Sequence, residues 1–391
     1  MTQTADVVII GGGVTGCSIA YHLLQRGARD VVLLEKRFLA SGATGKSSAC
    51  IRQHYSTPET CRMVLQSLRF FETFEERTGG RSASFVRVGY LLGVDDRLRK
   101  QMEQSVALQQ SVGIKSRLVT PREMREIEPR IRVDDFVAGC YEPEAGYADP
   151  AGTTQGLAGA ARDRGARIME ETELLGIDTA GGRVTGVRTT KGEIAAPVVV
   201  NAAGTWADRV ARLVGVDVPI AVCRHKINFF TRPPEAASPH PLIYDFVQNM
   251  YTRPETGGLT LVGPLESEVA DRVDPDRYNE GVTFEETADA MERAVHRFPV
   301  MENAEVAKGY AGCFDVSPDW HPVLDESAVR GFYVAAGFSG HGFKLSPAVG
   351  DMVARLVLQG KSPSDDVHAF RLSRFAEGRP IRGTYGDSMM C

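Results

Sequence analysis

Residues Val7 to Gly27, "VVIIGGGVTGCSIAYHLLQRG", set a G-x-G-x-x-G turn, Gly11, Gly13 and Gly16, between two hydrophobic runs. Four successive apolar residues, Val7–Ile10, predict a parallel strand covered on both faces. Cys17 to Gln25 places Ile19, Leu23 and Leu24 on one helical face, and Gly27 supplies a stop. Val31–Leu34 predicts a second strand, closed by Glu35. Strand, glycine turn, helix, strand and terminal acid form the order of a dinucleotide-binding βαβ unit. Its helix N-terminus, at Val14 and Thr15, suits a diphosphate, and Glu35 suits the hydroxyls of an adenosine ribose. An acid there disfavours a 2′-phosphate, which leaves NAD or FAD.

The continuation is not that of a plain nicotinamide domain. After Lys36 the chain is small and polar ("RFLASGATGKSSACIRQHYSTPE"), residues 57–79 read as helical, and 86–94 read as a strand of a different domain. Strand and helix signals of the first kind return near residue 152. A hairpin is expected at Gly181-Gly182, strands at Val198–Val200 and Phe332–Ala336, a loop over 337–342 and a helix from Ser346 to Leu358. The fold class expected is α/β. A discontinuous Rossmann-like nucleotide domain (1–79, 149–217 and 309–391) is interleaved with an α+β substrate domain (80–148 and 218–308) built on a mainly antiparallel sheet. The run after Gly378 has no periodicity and reads as a mobile tail.

Composition narrows the function classes. With 391 residues and a formal net charge of −5, the chain offers no general attraction to nucleic acid. No run of 18 apolar residues predicts a membrane span. The N-terminus reads as a first strand, not a signal peptide. The seven cysteines are odd in number, scattered and never spaced CxxC, which points to a reducing cytoplasm and no metal site.

The interleaving, together with the segments "SGATGKSSACIRQHYS", "VVVNAAGTWA", "AGCFDVSPDWHPVLD" and above all "AAGFSGHGFKLSPAVG", resembles the glycine/D-amino-acid oxidase family. Within it the chain looks most like monomeric sarcosine oxidases and the sarcosine- or proline-oxidising β subunits. The resemblance implies FAD, contacted by Gly11, Gly13, Val14, Thr15, Gly16, Glu35, Lys36, Ser41, Thr44, Lys46, Ser47, Ala203 and Gly204, and by Gly337, Gly340, Gly342, Phe343 and Lys344. It implies that Arg52 and Lys344 clamp a substrate carboxylate beside the flavin, with His54 and His341 flanking them. His225 and His321 are lesser pocket candidates.

The implied reaction is oxidation of the C–N bond of a secondary or N-methylated amino acid, with a D-amino-acid or 2-hydroxy-acid dehydrogenase as alternatives. A flavoprotein subunit serving mainly in assembly or electron relay is the alternative from another class. The implied partners are an amino-acid-like substrate, O2 or another electron acceptor, and a second copy or partner subunit. Departures from the pattern also matter. Cys313 falls one residue late for the cysteine that carries FAD covalently in those oxidases, and Gly312 takes its place, so non-covalent FAD is expected. Leu261 stands nearest to the lysine that assists the reaction with oxygen, and Asp149 or a neighbour replaces the histidine that attaches FMN in β subunits.

Overall fold

The computed structural model describes residues 3–265, 271–360 and 366–386. A six-stranded sheet lies at its centre, in the order Arg167–Met169, Val31–Leu34, Val7–Ile10, Val198–Asn201, Phe332–Ala336, Val323–Glu326. All its pairings are parallel except the last. Val7, Ile9, Val31 and Leu33 pack on one face against the helices Val14–Gln25, Pro58–Glu72, Pro150–Arg162 and Gly342–Gln359. Val8, Ile10, Val32 and Leu34 pack on the other, against the sheet of Leu174–Ala180, Arg183–Thr189 and Gly192–Ala195 and the short helix Ala207–Arg212. Two buried faces are why these strands read as unbroken apolar runs.

A second, eight-stranded sheet is assembled from two distant parts of the chain. Its order is Glu305–Val316, Ala221–Thr231, Leu259–Pro264, Met250–Glu255, Leu242–Asp245, Tyr90–Val94, Ala138–Glu142, Arg117–Val119. It is antiparallel except where Leu242–Asp245 meets Tyr90–Val94. The strand Glu305–Val316 runs across the expected domain boundary at 309 and pairs with Ala221–Thr231 along its whole length.

Several expected elements differ in detail. The helix expected from Ser346 begins at Gly342 and contains Pro347 as its sixth residue; the Phe343 carbonyl, which an amide at 347 would have served, accepts the Ser346 hydroxyl at 2.9 Å instead. Residues 57–79 hold two helices, Pro58–Glu72 and Phe74–Arg77. The 86–94 strand is broken at Val88-Gly89, where both amides donate to the Ala145 carbonyl, at 3.1 and 2.9 Å, Gly89 takes a φ of 79°, and the two pieces enter different sheets. The C-terminal run is not a loose tail as far as residue 386. Ile381 N–H donates to Asp319 at 2.9 Å, Thr384 N–H donates to Ser56 at 3.1 Å, and the Tyr385 hydroxyl meets His54 Nε2 at 2.8 Å. Polar anchors of this kind leave no hydrophobic period, so the sequence pattern hid them. Residues 387–391 of that run lie outside the described residues.

Candidate functional site

The glycine turn divides its labour. A Cβ on Gly11, at φ 111°, would stand 2.4 Å from the Ala202 carbonyl oxygen, and one on Gly16 would stand 2.0 Å from that of Gly11. These two glycines are demanded by the protein's own backbone. At Gly13 the nearest obstacle is the Thr44 hydroxyl at 3.1 Å, so this glycine faces open space that a ligand can use. The helix Val14–Gln25 begins there, its N-cap Gly13 supplies no capping side chain, and its first turn holds no acid, which suits its positive N-terminus to a diphosphate. The Val14 amide donates to Thr44 Oγ1 at 3.1 Å. Glu35 accepts the Gly12 and Arg37 amides, each at 2.8 Å, and the Ser41 hydroxyl at 3.3 Å. Gly13, Val14, Thr15, Glu35, Ser41 and Thr44 thus converge on one cradle that fits a dinucleotide.

Other sequence candidates lie at its rim. The Lys36 ammonium stacks 3.7 Å over the Trp206 ring and pairs with Asp276 at 3.3 Å, beside Ala203 and Gly204. The Lys46 ammonium is taken up by Tyr278 at 2.6 Å and Glu280 at 2.9 Å. Ser47 caps its own loop through the Ala49 amide. Phe343 turns its ring into the helical core, 5.7 Å from Phe71.

Arg52 follows the short strand Cys50–Ile51, which packs against the helix Gly342–Gln359. It is buried, with its guanidinium 4.7 Å from the Tyr55 ring and 5.4 Å from that of Tyr244, and it donates to the His54 carbonyl. Lys344 sits in the first turn of that helix, equally buried. Among the described residues no hydrogen bond or ion pair reaches its ammonium. Burial, and then the charge of Arg52, holds Lys344 well below the ordinary lysine range. A guanidinium and an unpaired lysine gathered in a buried site offer the donors that a carboxylate needs, and a bound carboxylate would favour the charged form of the lysine.

His341 precedes the helix, with Nδ1 3.1 Å from the Tyr55 hydroxyl and its buried Nε2 unpartnered. Burial, Lys344 and Arg52 press its pKa well below the usual value, so the ring is neutral. His54 has both ring nitrogens engaged, by Tyr385 and, at 3.1 Å, by Gln109. Burial and Arg52 lower it to about 3, so it supports Arg52 from behind. His225 meets Tyr251 at 3.1 Å and stacks on Phe314 at 4.3 Å, whereas His321 is tied to the Asp319 carbonyl.

Tyr55, Tyr244, Glu142 and Asp315 were missed as site residues. Tyr55 and Asp315 lie inside quoted motifs and could have been found there, but Tyr244 and Glu142 carry no local signal. The tertiary structure also gathers His54, Cys140 and Glu142, with ligand atoms within 4.8 Å of one another. The Gln109 amide and the nearby Arg52 charge oppose a cation there.

The chain resembles known proteins over nearly its whole length. It is 31% identical to human (Homo sapiens) sarcosine dehydrogenase over 385 residues, covering 96% of this chain and 42% of that protein. It is 26% identical to the sarcosine oxidase β subunit of Arthrobacter sp., covering 97% and 93%. The chain therefore spans less than half of the human relative's length. The crystal structure of L-proline dehydrogenase from P. horikoshii superposes with a TM-score of 0.89 at 30% identity, covering 97% of this chain and all of that one. Residues 6–356 match the family described as DAO, FAD dependent oxidoreductase, and the chain belongs to that family of FAD enzymes.

Proposed function

We propose that the chain oxidises the C–N bond of a secondary or N-methylated amino acid, of sarcosine, dimethylglycine or proline type. The observation that carries this reading is the pair of buried basic side chains, Arg52 and Lys344, brought together from opposite ends of the sequence. They hold the substrate carboxylate and so fix the carbon next to nitrogen in one orientation. The flavin, when bound, supplies the hydride acceptor. The same two positive charges favour the neutral amine over the ammonium, so proton loss precedes oxidation without a strong base. His341 is neutral and buried, and its part is to orient the substrate.

The expected division into 1–79, 149–217 and 309–391 for FAD, and 80–148 and 218–308 for substrate, belongs to this reading, as do the cofactor contacts named above. So does non-covalent FAD. A Cβ at position 312 would meet Lys46 Cβ at 3.0 Å, so Gly312 faces the cofactor loop, and the alternation of a strand turns Cys313 the other way. Burial pushes the Cys313 thiol up to about 11, away from the thiolate that attachment requires. No helix of the described residues is long and apolar enough to cross a membrane. The six described cysteines are buried and free, which supports a cytoplasmic location. Electrons pass on to O2 or another acceptor, and the β-subunit name of the Arthrobacter relative favours a partner subunit.

Anaerobic addition of sarcosine, dimethylglycine, L-proline, D-alanine and a 2-hydroxy acid to the FAD-loaded protein tests the assignment. Bleaching of the flavin bands by one of the first three supports it. Bleaching only by the last two transfers the chain to the alternative class, and no bleaching by any of them favours an assembly or relay subunit.

A further inference from the structure

Glu142 ends the strand Ala138–Glu142, opposite Tyr90 on the neighbouring strand, and is completely buried, near enough to Arg52 for the two charges to act on each other. One carboxylate oxygen accepts the Gln53 amide at 2.7 Å. The other has no hydrogen-bond partner and stands 3.9 Å from His54 Nδ1. The titratable groups facing it are Arg52 and His54 from the clamp segment, Tyr90 and Cys140 from the sheet, Cys61 from the helix Pro58–Glu72, and Tyr385. Burial is the largest influence on Tyr90, Cys140, Cys61 and Tyr385, and it keeps all four neutral. His54 is neutral as well, so among the described residues Arg52 is the one charged neighbour.

We propose that Glu142 is a positioning residue that sets the charge of the clamp: ionised, it offsets Arg52, and protonated, it leaves Arg52 fully available to a substrate carboxylate. The inference rests on the carboxylate-clamp reading of Arg52 and Lys344. Low-dielectric surroundings make the offset matter, because no solvent screens the two charges. Burial raises Glu142 to about 7, with the Gln53 amide and Arg52 opposing it, so the change of state falls near neutral pH. Carboxylate affinity then weakens as pH rises. The backbone bond from Gln53 keeps the clamp segment in place in either state.

The experiment measures acetate binding to the FAD-loaded protein at pH 6, 7 and 8, by flavin absorbance and by calorimetry. The wild-type Kd is expected to rise about three- to tenfold between pH 6 and 8. Glu142→Gln should remove at least a threefold part of that rise and bind at pH 8 nearly as tightly as the wild type does at pH 6. Glu142→Asp should keep the dependence. A Glu142→Gln profile parallel to the wild type, or a flat wild-type profile, overturns the role of Glu142 while leaving the clamp intact. Absence of acetate binding at every pH overturns the clamp itself, and Glu142 with it. Should Glu142→Gln not take up FAD, Lys344→Met decides. A retained pH dependence there supports Glu142, and a lost one assigns the titration to Lys344.

Discussion

The Gly337 amide donates to the Asp315 carboxylate at 2.7 Å, and the Ser339 amide donates to the Asp315 carbonyl at 2.9 Å. One residue of the long strand Glu305–Val316 thereby holds the loop that leads into His341 and Lys344. Asp315 is buried, and burial raises it to about 6 against the opposing amides of Phe338 and Gly337. A raised acid favours folding most below the ordinary carboxylate range, and the contribution is lost as pH climbs through about 6. Asp315→Asn should therefore flatten the stability profile between about pH 4 and 7. Asp315→Ala leaves the Gly337 amide without its acceptor and should destabilise by about 1–3 kcal/mol. Urea unfolding across that pH range reads both outcomes.

Lys344→Met keeps most of the side-chain volume and removes the ammonium. The substrate carboxylate then has one cation instead of two. The value of kcat/KM should fall by about 30- to 150-fold, the equivalent of about 2–3 kcal/mol, with flavin content unchanged. Steady-state kinetics on whichever amine bleaches the flavin, alongside the visible spectrum of the purified variant, measure this. An unaltered kcat/KM removes Lys344 from the clamp.

The two ends of the glycine turn should respond differently to alanine. Gly11→Ala drives a Cβ to within 2.4 Å of a backbone oxygen at positive φ, so the loss should appear in the fold itself, as a lowered Tm of the FAD-free protein. Gly13→Ala meets only Thr44 Oγ1, at 3.1 Å, a side-chain atom that has to give by only a few tenths of an ångström. That variant should keep its FAD-free Tm and lose affinity in an FAD titration.

Flavin should leave the protein completely on acid denaturation, and Cys313→Ser should behave the same way. Absorbance of the supernatant after acid precipitation measures it. Yellow colour remaining in the pellet of the wild type, but not of the serine variant, would establish a bond to Cys313.

The nucleotide-binding half was legible because its signals are local. Val7–Ile10, the glycine turn, Val31–Leu34 and Glu35 fall within thirty residues, and each follows from strand burial or helix-end electrostatics. Arg52 and Lys344 were reachable through the motifs around them, although nothing in their spacing places them side by side. That juxtaposition arises because the strand Cys50–Ile51 packs against the helix Gly342–Gln359.

Only the folded chain decided what stands behind the clamp. Glu142, Gln109 and Tyr385 come from a strand, a helix and a C-terminal run that share no sequence pattern, and their polar contacts leave no period to read. The same holds for the glycines: their positions were plain, but which of them make room for protein and which for a ligand depended on where Ala202 and Thr44 came to rest. Chain geometry over a few residues is dictated by backbone sterics and hydrophobic alternation. Charge balance in a buried site is dictated by which distant groups the packing of two sheets and a helix excludes from water together.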